Sequence, residues 1–188
     1  MNLSKATREC KNLQRYLREV RNEDGQTQLH YYCEHGMTSS VVRMLEMKSI
    51  DVEARERDED YGWTSLMTAA WNGHLAICRL LIDKGAQLEA KDIIGRTPLH
   101  RAAMQGRVDI VRLLCNSGAD VEARENNEER PLHWAVEHGH ISIVKDLIEE
   151  RNVEINARND SGRTALRLAI RNDNLDMVAY LVSYGGVE

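Results

Sequence analysis

Pro98 and Pro131 stand 33 residues apart, and each precedes Leu-His. The coincidence belongs to a wider frame. One stretch reads Gly95-Arg96-Thr97-Pro98-Leu99-His100-Arg101-Ala102-Ala103. Upstream it recurs as Gly62-Trp63-Thr64-Ser65-Leu66-Met67-Thr68-Ala69-Ala70 and as Gly25-Gln26-Thr27-Gln28-Leu29-His30. Downstream it recurs around Leu132 and Leu166. The anchoring leucines, Leu29, Leu66, Leu99, Leu132 and Leu166, are spaced 37, 33, 33 and 34 residues apart. A unit of this length cannot close an apolar core alone. Such a chain folds by stacking its units, and about three or more are needed for stability.

The residues inside a unit predict helix, turn, helix, hairpin. Thr97 supplies a hydroxyl to cap the first helix, and Pro98 takes the first helical position, where no amide hydrogen is needed. Ala102 and Ala103 let two helices approach closely. Gly106 ends the first helix, as Gly36, Gly73 and Gly139 do elsewhere, with Asp173 in the last unit. A second apolar run follows, such as Ile110, Val111, Leu113 and Leu114. Gly118-Ala119 or Gly85-Ala86 then leads into a short return segment.

This pattern resembles the ankyrin repeat family. The resemblance covers residues 24 to 188 and rests on the Thr-Pro-Leu-His block and its period. It implies an all-α ankyrin-repeat solenoid of helix-turn-helix units with β-hairpin loops. Five repeats are read: 22 to 58, 59 to 91, 92 to 124, 125 to 158 and 159 to 188. Residues 1 to 21 are read as an N-terminal helical cap, because Leu3, Ala6, Cys10, Leu13, Leu17 and Val20 form one stripe at helical spacing.

Several departures carry expectations. Ser49 to Tyr61 adds four residues, mostly charged, and reads as a lengthened hairpin. One residue is added in the loop around Glu150 to Val153. In repeat 4, Glu128 replaces the turn glycine and Arg130 the capping threonine. A non-glycine residue at positive φ costs about 1 kcal/mol. The turn is therefore expected to change, with Asn126 or Asn127 taking the left-handed position.

Composition and motifs exclude several functions. The net charge of -5 argues against a broad nucleic-acid face, and no apolar run is long enough to span a membrane. The first ten residues lack a secretory core, so a cytoplasmic or nuclear location is expected. The four cysteines show no metal or disulfide spacing. There is no phosphate loop and no nucleophile elbow. His138-Gly139-His140 has no third ligand nearby in sequence, and His30, His100 and His133 fall in framework places. No catalysis, cofactor or metal is expected.

The resemblance also implies where a partner binds: on hairpin tips and the inner face of each first helix, which form a concave surface. The residues of this chain at those places include Tyr61, Trp63, Trp71, Ile93, Ile94, Arg96, Met104, Gln105 and Glu137. Arg163, Arg167 and Arg171, four apart on one helix, offer a basic patch or a polar terminal cap. Two tryptophans and a tyrosine at surface positions point to recognition of a protein. The expected function is a non-catalytic protein–protein interaction module, monomeric, serving as adaptor, scaffold or inhibitor. The alternatives are occlusion of a kinase or other enzyme, and a structural or engineered repeat fold without a natural partner. The resemblance also makes Asn156 a candidate for asparagine hydroxylation, with a hairpin hydrogen-bonding role the plainer reading.

Overall fold

The computed structural model of the chain describes residues 22, 25–47, 50–56 and 61–188. The N-terminal cap and, of the charged insertion, residues 49 and 57–60 lie outside the described residues. The chain divides into two compact units, 1–87 and 88–188.

In the first unit, α1 (Gln28–Glu34) pairs with α2 (Thr38–Leu45), and α3 (Ser65–Asn72) pairs with α4 (Leu75–Asp83). The first helices α1 and α3 pack together, as do the second helices α2 and α4. Leu29, Cys33, Val41, Leu66, Ala69, Ala70, Ile77 and Leu81 fill the interior. Each pair is an antiparallel helical hairpin whose apolar stripe is covered only by the next pair.

The second unit holds α5 (Pro98–Met104), α6 (Val108–Asn116), α7 (Pro131–Glu137), α8 (Ile141–Lys145), α9 (Ala165–Arg171) and α10 (Leu175–Ser183). First helices stack in the order α5, α7, α9, and α6 packs on α8. Ala102, Ala103, Ala135, Ala165 and Ala169 are fully buried, which is the close approach their small size permits.

The extra residue of repeat 4 is absorbed differently from expectation. It sits in the helix and not in the following loop: α8 continues as a π-helical turn over Asp146–Glu150. A π turn holds one more residue than an α turn, so Leu147 stays in the core while the count grows by one. Asn152, at φ 53, then takes the left-handed place that Gly85 and Gly118 hold in earlier repeats.

The return segments are hairpins closed by single backbone pairs: Glu56 to Trp63, Asp92 to Arg96, Glu125 to Glu129 and Asn159 to Arg163. One antiparallel bridge joins Arg55 and Thr64, and no strand forms among the described residues.

The repeat 4 turn overturns the expected altered geometry. Glu128 itself takes φ 61, and neither Asn126 nor Asn127 has positive φ. Its N–H donates to the Glu125 carbonyl at 3.0 Å, just as Gly95 N–H donates to Asp92 at 3.0 Å. Neighbouring hairpins impose the shape. Asn126 N–H donates to the Ile94 carbonyl, and Asp160 N–H donates to that of Asn127, each at 3.0 Å. Arg130 keeps one half of the cap, its N–H donating to His133 Nδ1 at 3.2 Å as Thr97 N–H does to His100 Nδ1, but its guanidinium supplies no acceptor in place of the threonine hydroxyl.

Candidate functional site

The hairpin tip and first helix of repeat 2 carry three rings in mutual contact. Tyr61 lies 5.8 Å from Trp63, and Trp63 lies 5.4 Å from Trp71, centroid to centroid. Trp63 and Trp71 are half-buried, whereas Tyr61 is 58% exposed. Tyr61 also holds φ 99, an outlier for a bulky residue. Such strain persists only where the surroundings enforce it, and it clusters at functional positions. Arg55 Nη1 secures this turn by donating to the Gly62 carbonyl at 2.9 Å.

In the second unit the residues expected at the surface divide. Ile93 is 51% exposed, and Ile94 and Gln105 are half-buried. Met104 is only 8% exposed, so its expected place on the surface is corrected: it closes the end of α5. Arg96 lies over the Trp134 ring, its guanidinium carbon 4.0 Å from the ring centroid. The indole, half-buried, continues toward His138 at 5.7 Å.

The arginines of α9 are largely engaged within the fold. Arg171 pairs with Glu137, and Arg167 pairs with Glu188 at 3.1 Å. Glu137 also accepts from Asn172 Nδ2 at its backbone carbonyl, at 3.0 Å. Arg163 is exposed and does not share the helix as expected: it precedes the Thr164 cap, in the hairpin closed by Asn159. Arg167 and Arg171 are therefore paired with acids of the chain itself.

The framework histidines join one repeat to the next. Thr97 N–H donates to His100 Nδ1 at 3.2 Å, which leaves the proton on Nε2, and Nε2 donates to the Glu129 carbonyl at 3.1 Å. His30 reaches the Trp63 carbonyl at 3.0 Å, and His133 that of Ala157 at 3.1 Å. Burial lowers the His100 pKa to about 4, so the ring is neutral at pH 7. Among the described residues no three His, Cys, Asp or Glu side chains converge to hold a metal ion.

A second set of links was not foreseen. Glu53 Oε1 accepts from Gln87 N–H at 2.9 Å, Glu89 from Asp120 at 2.8 Å, and Glu122 from Glu154 at 2.7 Å. Asn156 Oδ1 does the same for Val187 N–H at 2.8 Å, and its Nδ2 donates to the Gly185 carbonyl at 3.1 Å. Both ends of the Asn156 amide are thus used by the segment after α10. Arg130, buried, bridges Glu122 at 2.5 Å and Glu154 at 2.7 Å. The recurring Glu at one register position was the signal for these links.

Comparison with known proteins agrees with this architecture. The family model described as ankyrin repeats (3 copies) matches residues 4–92, 90–159 and 122–188. Its first match begins inside the segment read as a cap. The chain is 37% identical over 71 residues to a transient receptor potential cation channel subfamily A member 1 homolog of Caenorhabditis elegans. It is 32% identical over 63 residues to ankyrin repeat and SAM domain-containing protein 6 of Danio rerio. These stretches cover 38% and 34% of this chain but only 6% and 8% of the two relatives. No helix among the described residues is long and apolar enough to cross a membrane. Ankyrin repeats are general protein–protein interaction modules, typically without catalysis. From the period, the helix pairs, the rivets between them and the family match, the chain belongs to the ankyrin repeat family.

Proposed function

We propose that this chain is a non-catalytic recognition module that holds a partner protein on its hairpin tips and first-helix faces. It acts as an adaptor, scaffold or surface-occluding inhibitor. The observation that carries this reading is the contacting trio Tyr61, Trp63 and Trp71, with Tyr61 58% exposed on strained backbone. Exposed aromatic residues anchor interfaces because they bury much area at little entropic cost. Rigidity helps further, since a preformed surface loses little freedom on binding. Ile93, Ile94, Arg96, Gln105 and Glu137 would add contacts on the second unit. The buried thiols Cys33 and Cys78 support a reducing compartment, cytoplasmic or nuclear. The module is proposed to work as a monomer.

The test is affinity capture by wild type and by Trp63→Ala/Trp71→Ala, with melts showing both folded. A protein retained only by wild type supports the reading. Its affinity should fall at least about thirtyfold in the variant, equivalent to about 2 kcal/mol. Equal retention would overturn the repeat 2 site. Inhibition of a captured enzyme then marks an inhibitor, and simultaneous binding of two proteins marks an adaptor.

A further inference from the structure

Arg96 differs from Arg101, Arg130 and Arg151, three buried or half-buried arginines of the second unit. Arg101 pairs with Asp92 and Arg130 with Glu122 and Glu154, while Arg151 lies 3.7 Å from Asp146. No carboxylate pairs with Arg96 among the described residues. Its Nε is buried without an acceptor, and the one described partner of its side chain is the face of Trp134, at 4.0 Å, the Asp92 carboxylate bonding only its backbone N–H. An arginine stacked on an indole keeps its plane fixed while its N–H edge stays available, the geometry that receives a carboxylate through two parallel hydrogen bonds.

The surroundings decide the sign of the ligand. Arg96 already covers the indole face, so a partner cation would find that face occupied and a like charge upon it. Beside the pair, Ile93 is 51% exposed and Ile94 half-buried. One acid close enough to feel the Arg96 charge is Glu125, which does not pair with it. Glu125 is buried at 4% exposure; its Oε1 is taken by the N–H groups of Asn127 and Glu129, and its Oε2 is buried without a donor, so it does not reach out to Arg96.

We infer that Arg96 on Trp134 is a carboxylate-reading site: an Asp or Glu side chain of a partner protein pairs with the Arg96 edge, with an apolar neighbour of that side chain against Ile93. This rests on the recognition reading above and names the chemistry of the partner at this place.

The probe is a displayed library of random linear peptides selected on folded wild type, Arg96→Ala, Arg96→Lys and Arg96→Glu. Wild type should enrich peptides with Asp or Glu at a fixed spacing from an apolar residue, about tenfold over the starting library. Arg96→Ala should return the acidic preference to background while apolar preferences persist. Arg96→Lys should keep a weakened preference, because an ammonium lacks the planar edge. Arg96→Glu should turn the preference toward Lys or Arg. A selected acidic peptide should bind Trp134→Ala about tenfold more weakly, since the guanidinium loses its platform. Peptides recovered without an acidic preference, or with one unchanged in Arg96→Ala, overturn the carboxylate site and leave the recognition reading standing. No binding peptide from any arm, with all four proteins folded, overturns both.

Discussion

The imidazole of His140 lies against the α-carbon of Gly106, so that a Cβ built there would stand 2.7 Å from its Cε1. His140 Nε2 donates to the Met104 carbonyl at 3.0 Å, which holds the ring in that slot. His74 and Gly36 repeat the relationship in the first unit, with Nε2 on the Glu34 carbonyl at 2.9 Å. The turn glycine therefore has two duties: it accepts φ 68 and leaves room for a ring from the next repeat. Gly118 has only the first duty, with φ 96 and nothing near its absent Cβ. Gly118→Ala should cost about 1 kcal/mol of left-handed strain. Gly106→Ala should cost about 1 to 3 kcal/mol more, from overpacking. Urea denaturation of both, and of Gly106→Ala combined with His140→Ala, separates the parts. The two alanine costs should become similar once the ring is gone.

Glu128 offers the converse experiment. It holds φ 61, where glycine stands in the four other repeats. Its compensation is an exposed ion pair with Arg124 at 2.7 Å, and such pairs contribute well under about 1 kcal/mol. Glu128→Gly should stabilise the protein by up to about 1 kcal/mol. A loss of stability would show that the Arg124 pair outweighs the strain.

Most of the fold was legible because the period itself encodes it. Pro98, Leu99 and Ala102 announce a helix start and its buried face from within one unit. What stayed hidden depends on residues 24 to 36 positions apart. Nothing local says that Glu122 receives the Glu154 N–H, or that Arg130 lies between those two acids. The Glu128 turn was misread for the same reason: local cost argued against φ 61, and hairpin-to-hairpin bonds through Asn126 and Asn127 outweigh it. The candidate surface was legible in part. Tyr61, Trp63 and Ile93 sit at solvent-reaching places, but Met104 turns inward and the arginines of α9 find acids inside the fold. Trp134, which the sequence does not mark as a surface residue, is the platform for Arg96.

The buried histidines make stability depend on pH. His100 titrates near 4 when folded and near 6.5 when unfolded, because burial penalises its charged form. Between those values the unfolded chain binds more protons, so stability rises with pH. The neutral-pH contribution is fully present above pH about 6.5, falls away toward pH 4 and is then level. The change is about 3 kcal/mol. His133 shifts in the same direction. Denaturation midpoints across this range should fall with acid, and His100→Gln should flatten the fall. An unchanged slope in His100→Gln would mean that other groups carry it.

Trp134 occupies in repeat 4 the position that Arg101 occupies in repeat 3. Arg101 satisfies Asp92 there. Glu125, the counterpart of Asp92, keeps a buried Oε2 without a donor, and the Trp134 Nε1 is likewise buried without an acceptor. Burial pushes the Glu125 carboxyl above its ordinary range. An acid raised in this way favours the folded state at low pH, and that advantage is lost as pH rises through its folded pKa. Trp134→Arg should supply the missing cation and bring the Glu125 pKa down, which a carboxyl-resolved NMR titration would read directly. The difference in stability between variant and wild type should then shift in favour of the variant as pH rises from acid to neutral. The His100 contribution is common to both and drops out of that difference, as does any pH-independent loss of indole packing. A Glu125 carboxyl that still titrates high in Trp134→Arg would show that the new guanidinium points away from it, and that the pairing seen in repeat 3 depends on Asp92 being one methylene shorter than Glu125.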